Sequence, residues 1–184
     1  GADIVVHSTS KYLDGHALQC GGVIIDSGKF DWEAANKVNG HFADMFEPDE
    51  SYHGLSYKKE FGNAAYIIKA RTQLMRDFGC YPSAQSAFYL NLGIETLPVR
   101  MDRYFENALK VAKHFKNSPK IASVTYPYLE GDKSFDLAKK YMPNGCCGVV
   151  SISIKGGRDA AVRFMDALTL ASDEVHVADI RTCV

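Results

Sequence analysis

The sequence predicts an α/β protein, and three observations predict it. Short β-branched runs, Ile4-Val5-Val6 and Gly22-Val23-Ile24-Ile25, are bounded by turn residues, as buried strands are. Apolar residues recur at helical spacing over Ala64 to Phe78 and again over Leu97 to Phe115. After Asn117-Ser118-Pro119 the texture changes to strands alternating with short helices, the order of a small α/β layer.

Between the first two strands lies the polar stretch His7-Ser8-Thr9-Ser10-Lys11, followed by Tyr12-Leu13-Asp14-Gly15-His16. Residues 29 to 57 are rich in aromatic residues, His and Gly, with the breaker Glu47-Pro48-Asp49-Glu50. An irregular segment is expected there, with one short helix around Trp32 to Val38. The helix over Ala64 to Phe78 should end at Gly79, a residue that accepts the left-handed cap conformation. A second helical stretch, Ser83 to Leu92, should end at Gly93. The long amphipathic helix from Leu97 carries Pro98 in its first turn, where a missing N–H costs little. Ile121 to Pro127 reads as a strand, Phe135 to Tyr141 as a helix and Cys147 to Ile154 as a strand. Gly156-Gly157 then turns into a helix over Arg158 to Leu168, and Val175 to Ile180 is again strand-like.

The composition excludes several classes. Twenty-one Lys+Arg against 22 Asp+Glu leave a formal net charge of -1, without the basic excess of a nucleic-acid or anionic-membrane binder. No apolar run approaches the ~20 residues that cross a bilayer. The five cysteines, Cys20, Cys80, Cys146, Cys147 and Cys183, show no metal-ligand spacing and read as reduced thiols in a cytoplasmic protein. Both ends of the chain are apolar, whereas domain termini are usually polar and frayed; a piece of a longer protein is expected.

Ser8-Thr9-Ser10-Lys11 carries the chemistry. It lies just past a strand, where open α/β sheets place ligand crevices. Alternate hydroxyls beside a lysine suit a phosphorylated, carbonyl-bearing ligand: hydroxyls donate to phosphate oxygens while the amine reaches the carbonyl carbon. Burial lowers a lysine's proton affinity from about 10.4, leaving free amine to condense with a carbonyl. Taken alone the same run is also a polar turn with a solvated lysine, the commoner case for a short motif.

The wider window, Asp3-Ile4-Val5-Val6-His7-Ser8-Thr9-Ser10-Lys11-Tyr12-Leu13-Asp14-Gly15-His16, resembles the lysine signature of the Cys/Met-metabolism family of pyridoxal-phosphate enzymes. Two positions depart from that pattern: Ser10 stands where Thr is usual, and Ala17 where a small polar residue is commoner. Gly93-Ile94-Glu95-Thr96-Leu97-Pro98-Val99-Arg100-Met101 resembles the family's link between its large and small domains, and Gly156-Gly157-Arg158 matches its small domain. The intervening stretches Asp26 to Trp32 and Glu47 to Leu55 are similar to an insertion of the O-acetylhomoserine sulfhydrylase branch.

The resemblance implies a fold-type I pyridoxal-phosphate transferase, with the end of the large domain over 1–97, a connecting helix over 98–118 and a truncated small α/β domain over 119–184. It implies pyridoxal 5'-phosphate as cofactor, with Lys11 holding it and shuttling protons, and Ser8 and Ser10 binding its phosphate. The implied substrates are O-acetyl-L-homoserine and sulfide or a thiol, giving homocysteine; the implied assembly is a homotetramer, without nucleic acid or membrane. Cystathionine γ-synthase or γ-lyase chemistry in the same family, and a non-catalytic assembly role, are the alternatives. The family's pyridine-pairing aspartate, ring-stacking tyrosine and carboxylate-binding arginine fall outside this sequence, so the chain alone is expected to be inactive.

Other polar residues have plainer readings. His7 at a strand end suits packing or backbone bonding, and His16, His41 and His53 lack metal-ligand spacing. Lys58-Lys59 reads as a solvated pair with a phosphate contact as the alternative, and Cys20 as a packing residue beside Gly21-Gly22. Tyr52 and Tyr57 are candidates to line a site. Gln85 and Ser86 begin a helix and read equally as caps or as ligand contacts.

Overall fold

The computed structural model describes residues 1–184. Cα packing separates two compact units, one formed by 1–8 with 21–85 and the other by 9–20 with 86–184.

In the first unit, β1 (Ile4–Ser8) and β2 (Gly22–Asp26) pair antiparallel, with Val6 opposite Ile24 and Ser8 opposite Gly22. Both strands were expected to be buried. Instead Val6 is 73% exposed, and Val5, Val23, Ile24 and Ile25 are also open, because the sheet has two strands only. Helix α1 (Trp32–Asn39) starts where Asp31 accepts from the Ala34 N–H, and ends at Gly40 in the left-handed conformation. Two single turns, Ala43–Met45 and Glu50–Tyr52, and helix α2 (Tyr57–Phe61) follow.

The expected helix over Ala64 to Phe78 is present, but it changes pitch. It runs as α3 (Ala65–Lys69), a π-helical segment (Ala70–Met75) and α4 (Arg76–Phe78), capped by Gly79 at φ +68°. The wide π turn displaces the ordinary backbone ladder, and residues of the preceding loop, Asp49 and Tyr52, supply partners for it. The Tyr52 hydroxyl donates to the Thr72 carbonyl at 2.7 Å, and the Gln73 amide donates to the Asp49 carboxylate. Met45, Tyr57 and Ala65 form the buried centre. Around them Trp32 stacks on Tyr66 at 5.4 Å and meets Phe42 edge-on at 5.2 Å, geometries worth roughly 1 kcal/mol each beyond area burial.

Asp49 ties this unit together. Its carboxylate accepts from Ser51 N–H at 3.0 Å, Ser51 Oγ at 2.7 Å and the Tyr57 hydroxyl at 2.9 Å. The Ser51 hydrogen bond, followed by that from Tyr57, holds this carboxyl below its ordinary range. A carboxylate depressed by folding stabilises the native state above its unfolded value of about 3.9, and the contribution disappears as pH falls through the lower folded value. Asp49→Asn is therefore expected to flatten the acid limb of a stability-versus-pH curve measured by urea unfolding below about pH 4; an unchanged limb would remove Asp49 from the acid response.

The second unit is built on α5 (Ala84–Lys116), a single helix of 33 residues. Two helices broken at Gly93 were expected. Gly93 is buried and helical instead, and Pro98 lies inside the helix, where it removes the N–H that would serve the Ile94 carbonyl. Strand β3 (Ile121–Thr125) pairs antiparallel with β4 (Ser151–Ile154). Helix α6 (Phe135–Tyr141) lies between them in sequence, and α7 (Gly157–Asp166) follows β4. Gly156 and Gly157, at φ +97° and +69°, make the turn that the sequence required of them.

Strand β4 begins four residues later than expected, and Val175 to Ile180 forms no strand. Around that last stretch the backbone is held by an isolated bridge between Ser172 and Cys183. The core of this unit is Ala108, Ala112, Tyr126, Leu129 and Cys146, with Phe105 edge-on to Tyr128 at 4.8 Å. The buried Tyr126 hydroxyl donates to the Cys147 carbonyl at 2.9 Å, and burial raises its pKa. No helix is long and apolar enough to cross a membrane. All five cysteines are free thiols: Cys20 and Cys80 are exposed, Cys146 is buried, and Cys147 and Cys183 are half-buried.

Candidate active site

Ser8 is the last residue of β1; the chain then enters a turn that carries Ser10 and Lys11, both half-buried. Side-chain and backbone bonds lock this turn. The buried Thr9 carbonyl accepts from Asp14 N–H at 3.2 Å and from the Gln19 amide at 2.9 Å. The Lys11 carbonyl accepts from Gly15 N–H at 2.8 Å, a closure that Gly15 permits at φ +74°. Asp14, fully buried, accepts from Leu18 N–H at 2.9 Å and His16 N–H at 3.3 Å.

Helix α5 supports the same turn. Gly93, Thr96 and Arg100 stand at i, i+3 and i+7, one face of a helix. A Cβ on Gly93 would lie 2.4 Å from the Leu13 carbonyl oxygen and 2.5 Å from that of Asp14, so the backbone of the turn rests directly on this residue. Arg100 spreads its guanidinium over three carbonyls: Nη1 donates to Tyr12 at 2.8 Å, and Nη2 to Gly93 at 2.7 Å and Leu13 at 3.4 Å. Its Nε donates to Thr96 Oγ1 at 3.0 Å. On the far side Tyr12 accepts from Gly148 N–H through its hydroxyl at 2.8 Å and meets Tyr104 edge-on at 5.4 Å. Burial raises the Tyr12 pKa, keeping that hydroxyl protonated.

The remaining candidates take structural positions. Tyr57 is 1% exposed, a packing position, and half-buried Tyr52 donates its hydroxyl to the π segment. Lys58 and Lys59 do border a cleft of about 470 Å³, with Glu33, Phe46, Ser56 and Glu60, and Lys58 Nζ donates to the Gly62 carbonyl. Ser8, Ser10 and Lys11 do not line it. His7 pairs with Val23 inside the sheet, while His16 Nδ1 lies 2.9 Å from the Asp14 carbonyl. His53 caps the turn after Glu50–Tyr52. Cys20, expected to pack, is exposed. Gln85 and Ser86 lie in the first turn of α5.

The family model for "Cys/Met metabolism PLP-dependent enzyme" matches residues 1–184. The chain belongs to that family. Among its family relatives, the homocysteine synthase of Schizosaccharomyces pombe is 45% identical over 184 residues, covering 100% of this chain and 42% of the relative. The O-acetyl-L-homoserine sulfhydrylase of Leptospira meyeri is also 45% identical, covering 99% of this chain and 42% of that protein. The chain thus spans about two fifths of the length of the family members it matches. A solved family structure, a putative O-acetylhomoserine (thiol)-lyase from Campylobacter jejuni, superposes with a TM-score of 0.86 at 32% identity, over 98% of this chain and 44% of that one. That structure contains N'-pyridoxyl-lysine-5'-monophosphate. The fold-type I assignment holds for the family.

The donor set of this turn fits the family's cofactor. Two hydroxyls and a primary amine stand within four residues, and Lys11 is half-buried. The Lys11 run was legible in the sequence. Gly93 and Arg100 as partners of its turn were not, although their helical spacing was there to be read.

Proposed function

We propose that the protein is a pyridoxal-phosphate-dependent transferase that replaces the acetate of O-acetyl-L-homoserine with sulfide, releasing acetate and homocysteine, or with a thiol, releasing acetate and the corresponding homocysteine thioether. Lys11, half-buried on a turn that Gly93 and Arg100 of the same unit support, is the observation that carries this reading. The sulfhydrylase and homocysteine synthase names of the relatives support it. The inserted segments that brace the π turn accord with the same branch. On this reading residues 1–97 end the cofactor-binding domain, 98–118 connect, and 119–184 begin the small domain of a cytoplasmic homotetramer.

Lys11 would hold the cofactor, and the Ser8 and Ser10 hydroxyls would donate to its phosphate oxygens. When bound, pyridoxal phosphate supplies the electron sink that lets acetate leave and sulfide add. The Lys11 amine would also take and return protons at Nζ, the general acid–base role. The locked turn fixes the backbone from which that side chain extends.

Borohydride reduction of the complete protein with pyridoxal phosphate, followed by peptide mapping, is expected to label Lys11. Lys11→Ala should abolish the label and lower sulfide-dependent homocysteine formation by about 10²-fold or more. A label on another lysine would overturn the assignment. Release of a keto acid and ammonia from methionine or cystathionine, without sulfide-dependent turnover, would replace the transferase by a lyase.

A further inference from the structure

We propose that Arg100 is a positioning residue for Lys11: its guanidinium, forked over the carbonyls of Tyr12, Leu13 and Gly93, fixes the turn that carries the amine. The proposal rests on the reading of Lys11 as the cofactor-bearing residue.

Four observations converge on it. Arg100 and Tyr12 are 88 residues apart in sequence, yet Nη1 donates to the Tyr12 carbonyl at 2.8 Å, one residue beyond Lys11. The guanidinium fills the space beside Gly15, whose Cβ would fall 2.3 Å from Nη1, and Gly15 N–H closes the turn onto the Lys11 carbonyl. Thr96 Oγ1, which accepts from Nε, itself donates to the Gly93 carbonyl at 3.2 Å. Gly93 contributes the missing side chain that lets the turn approach.

Charge-assisted bonds from a planar fork are directional, so the guanidinium specifies the orientation of the carbonyls it meets. An ammonium on a flexible stem supplies the charge without the fork. The consequence for function is geometric. A reacting group misplaced by about 1 Å loses about 10²-fold in rate, and a turn needs such support to hold a nucleophile within the productive range.

The test uses the complete holoenzyme with Arg100→Lys, Arg100→Ala and the milder Thr96→Val. Amide exchange at Gly15 is expected to accelerate about tenfold or more in both Arg100 variants. The pH at which the visible absorbance of bound pyridoxal phosphate changes should move, and kcat should fall by about 10- to 100-fold with KM for the amino-acid substrate little altered. Added guanidinium ion should partly restore Arg100→Ala. Thr96→Val should show the same pattern at smaller amplitude, and it keeps the proposal testable if Arg100→Ala fails to fold. Unchanged Gly15 exchange and an unchanged absorbance profile in Arg100→Lys would overturn the proposal. Borohydride labelling away from Lys11 in the wild-type protein would instead overturn the reading beneath it, while Gly15 exchange would still report on the clamp.

Discussion

Gly93→Ala is expected to destabilise the protein by about 2 kcal/mol or more, the opposite of the usual effect in a helix interior. An alanine in an open helix is worth about 1 kcal/mol over glycine, through backbone entropy and shielding. Here the new Cβ would lie 2.4 Å from Leu13 O, 2.5 Å from Asp14 O and 2.8 Å from Asp14 Cα. All three are backbone atoms and cannot rotate away, so either α5 or the turn must move. Because that turn carries Lys11, retention of pyridoxal phosphate should weaken together with stability. Urea unfolding of the complete protein gives the sign directly: a midpoint equal to or above wild type would mean that the turn does not rest on position 93.

The second large effect is expected at Tyr57. Its ring is 1% exposed at the centre of the first unit, with Lys69 Nζ 4.7 Å from the ring centroid. Its hydroxyl joins Asp49 to Thr72, whose Oγ1 donates to it at 3.1 Å. Tyr57→Ala removes a large buried ring and should cost about 3–5 kcal/mol. Tyr57→Phe keeps the ring and removes one donor from Asp49, which retains Ser51 and Gln73, while Thr72 Oγ1 still donates to the Ile68 carbonyl at 2.9 Å, for about 1 kcal/mol. Denaturant midpoints for the pair separate packing from hydrogen bonding. Equal losses would show that the hydroxyl network, and not the ring, dominates.

The elements most legible in the sequence were those whose local pattern and surroundings agree. Phe135–Tyr141 is helical with the bounds its periodicity gives, and Gly79 and Gly156-Gly157 turn where expected. Gly93 misled because a glycine after a helical stretch is locally a stop signal. Only contact with residues 13 and 14, some eighty positions away, reveals it as a packing surface inside one long helix. The strand-like Val175 to Ile180 finds no neighbouring strand to complete a ladder, and β propensity without a partner fixes nothing. The candidate site divides the same way. Ser8, Ser10 and Lys11 lie within four residues and could be read as a motif, while Arg100 acts through carbonyls that carry no side-chain signature.

The distribution of thiols has a practical consequence for spectroscopy. Cys20 belongs to one compact unit and Cys80 to the other, and both are exposed. Burial raises the pKa of Cys146 and Cys183, which suppresses the thiolate that alkylating reagents attack. The two exposed thiols thus offer an attachment point in each unit for a donor–acceptor dye pair or two spin labels, giving a ruler for the distance between the units once half-buried Cys147 is replaced.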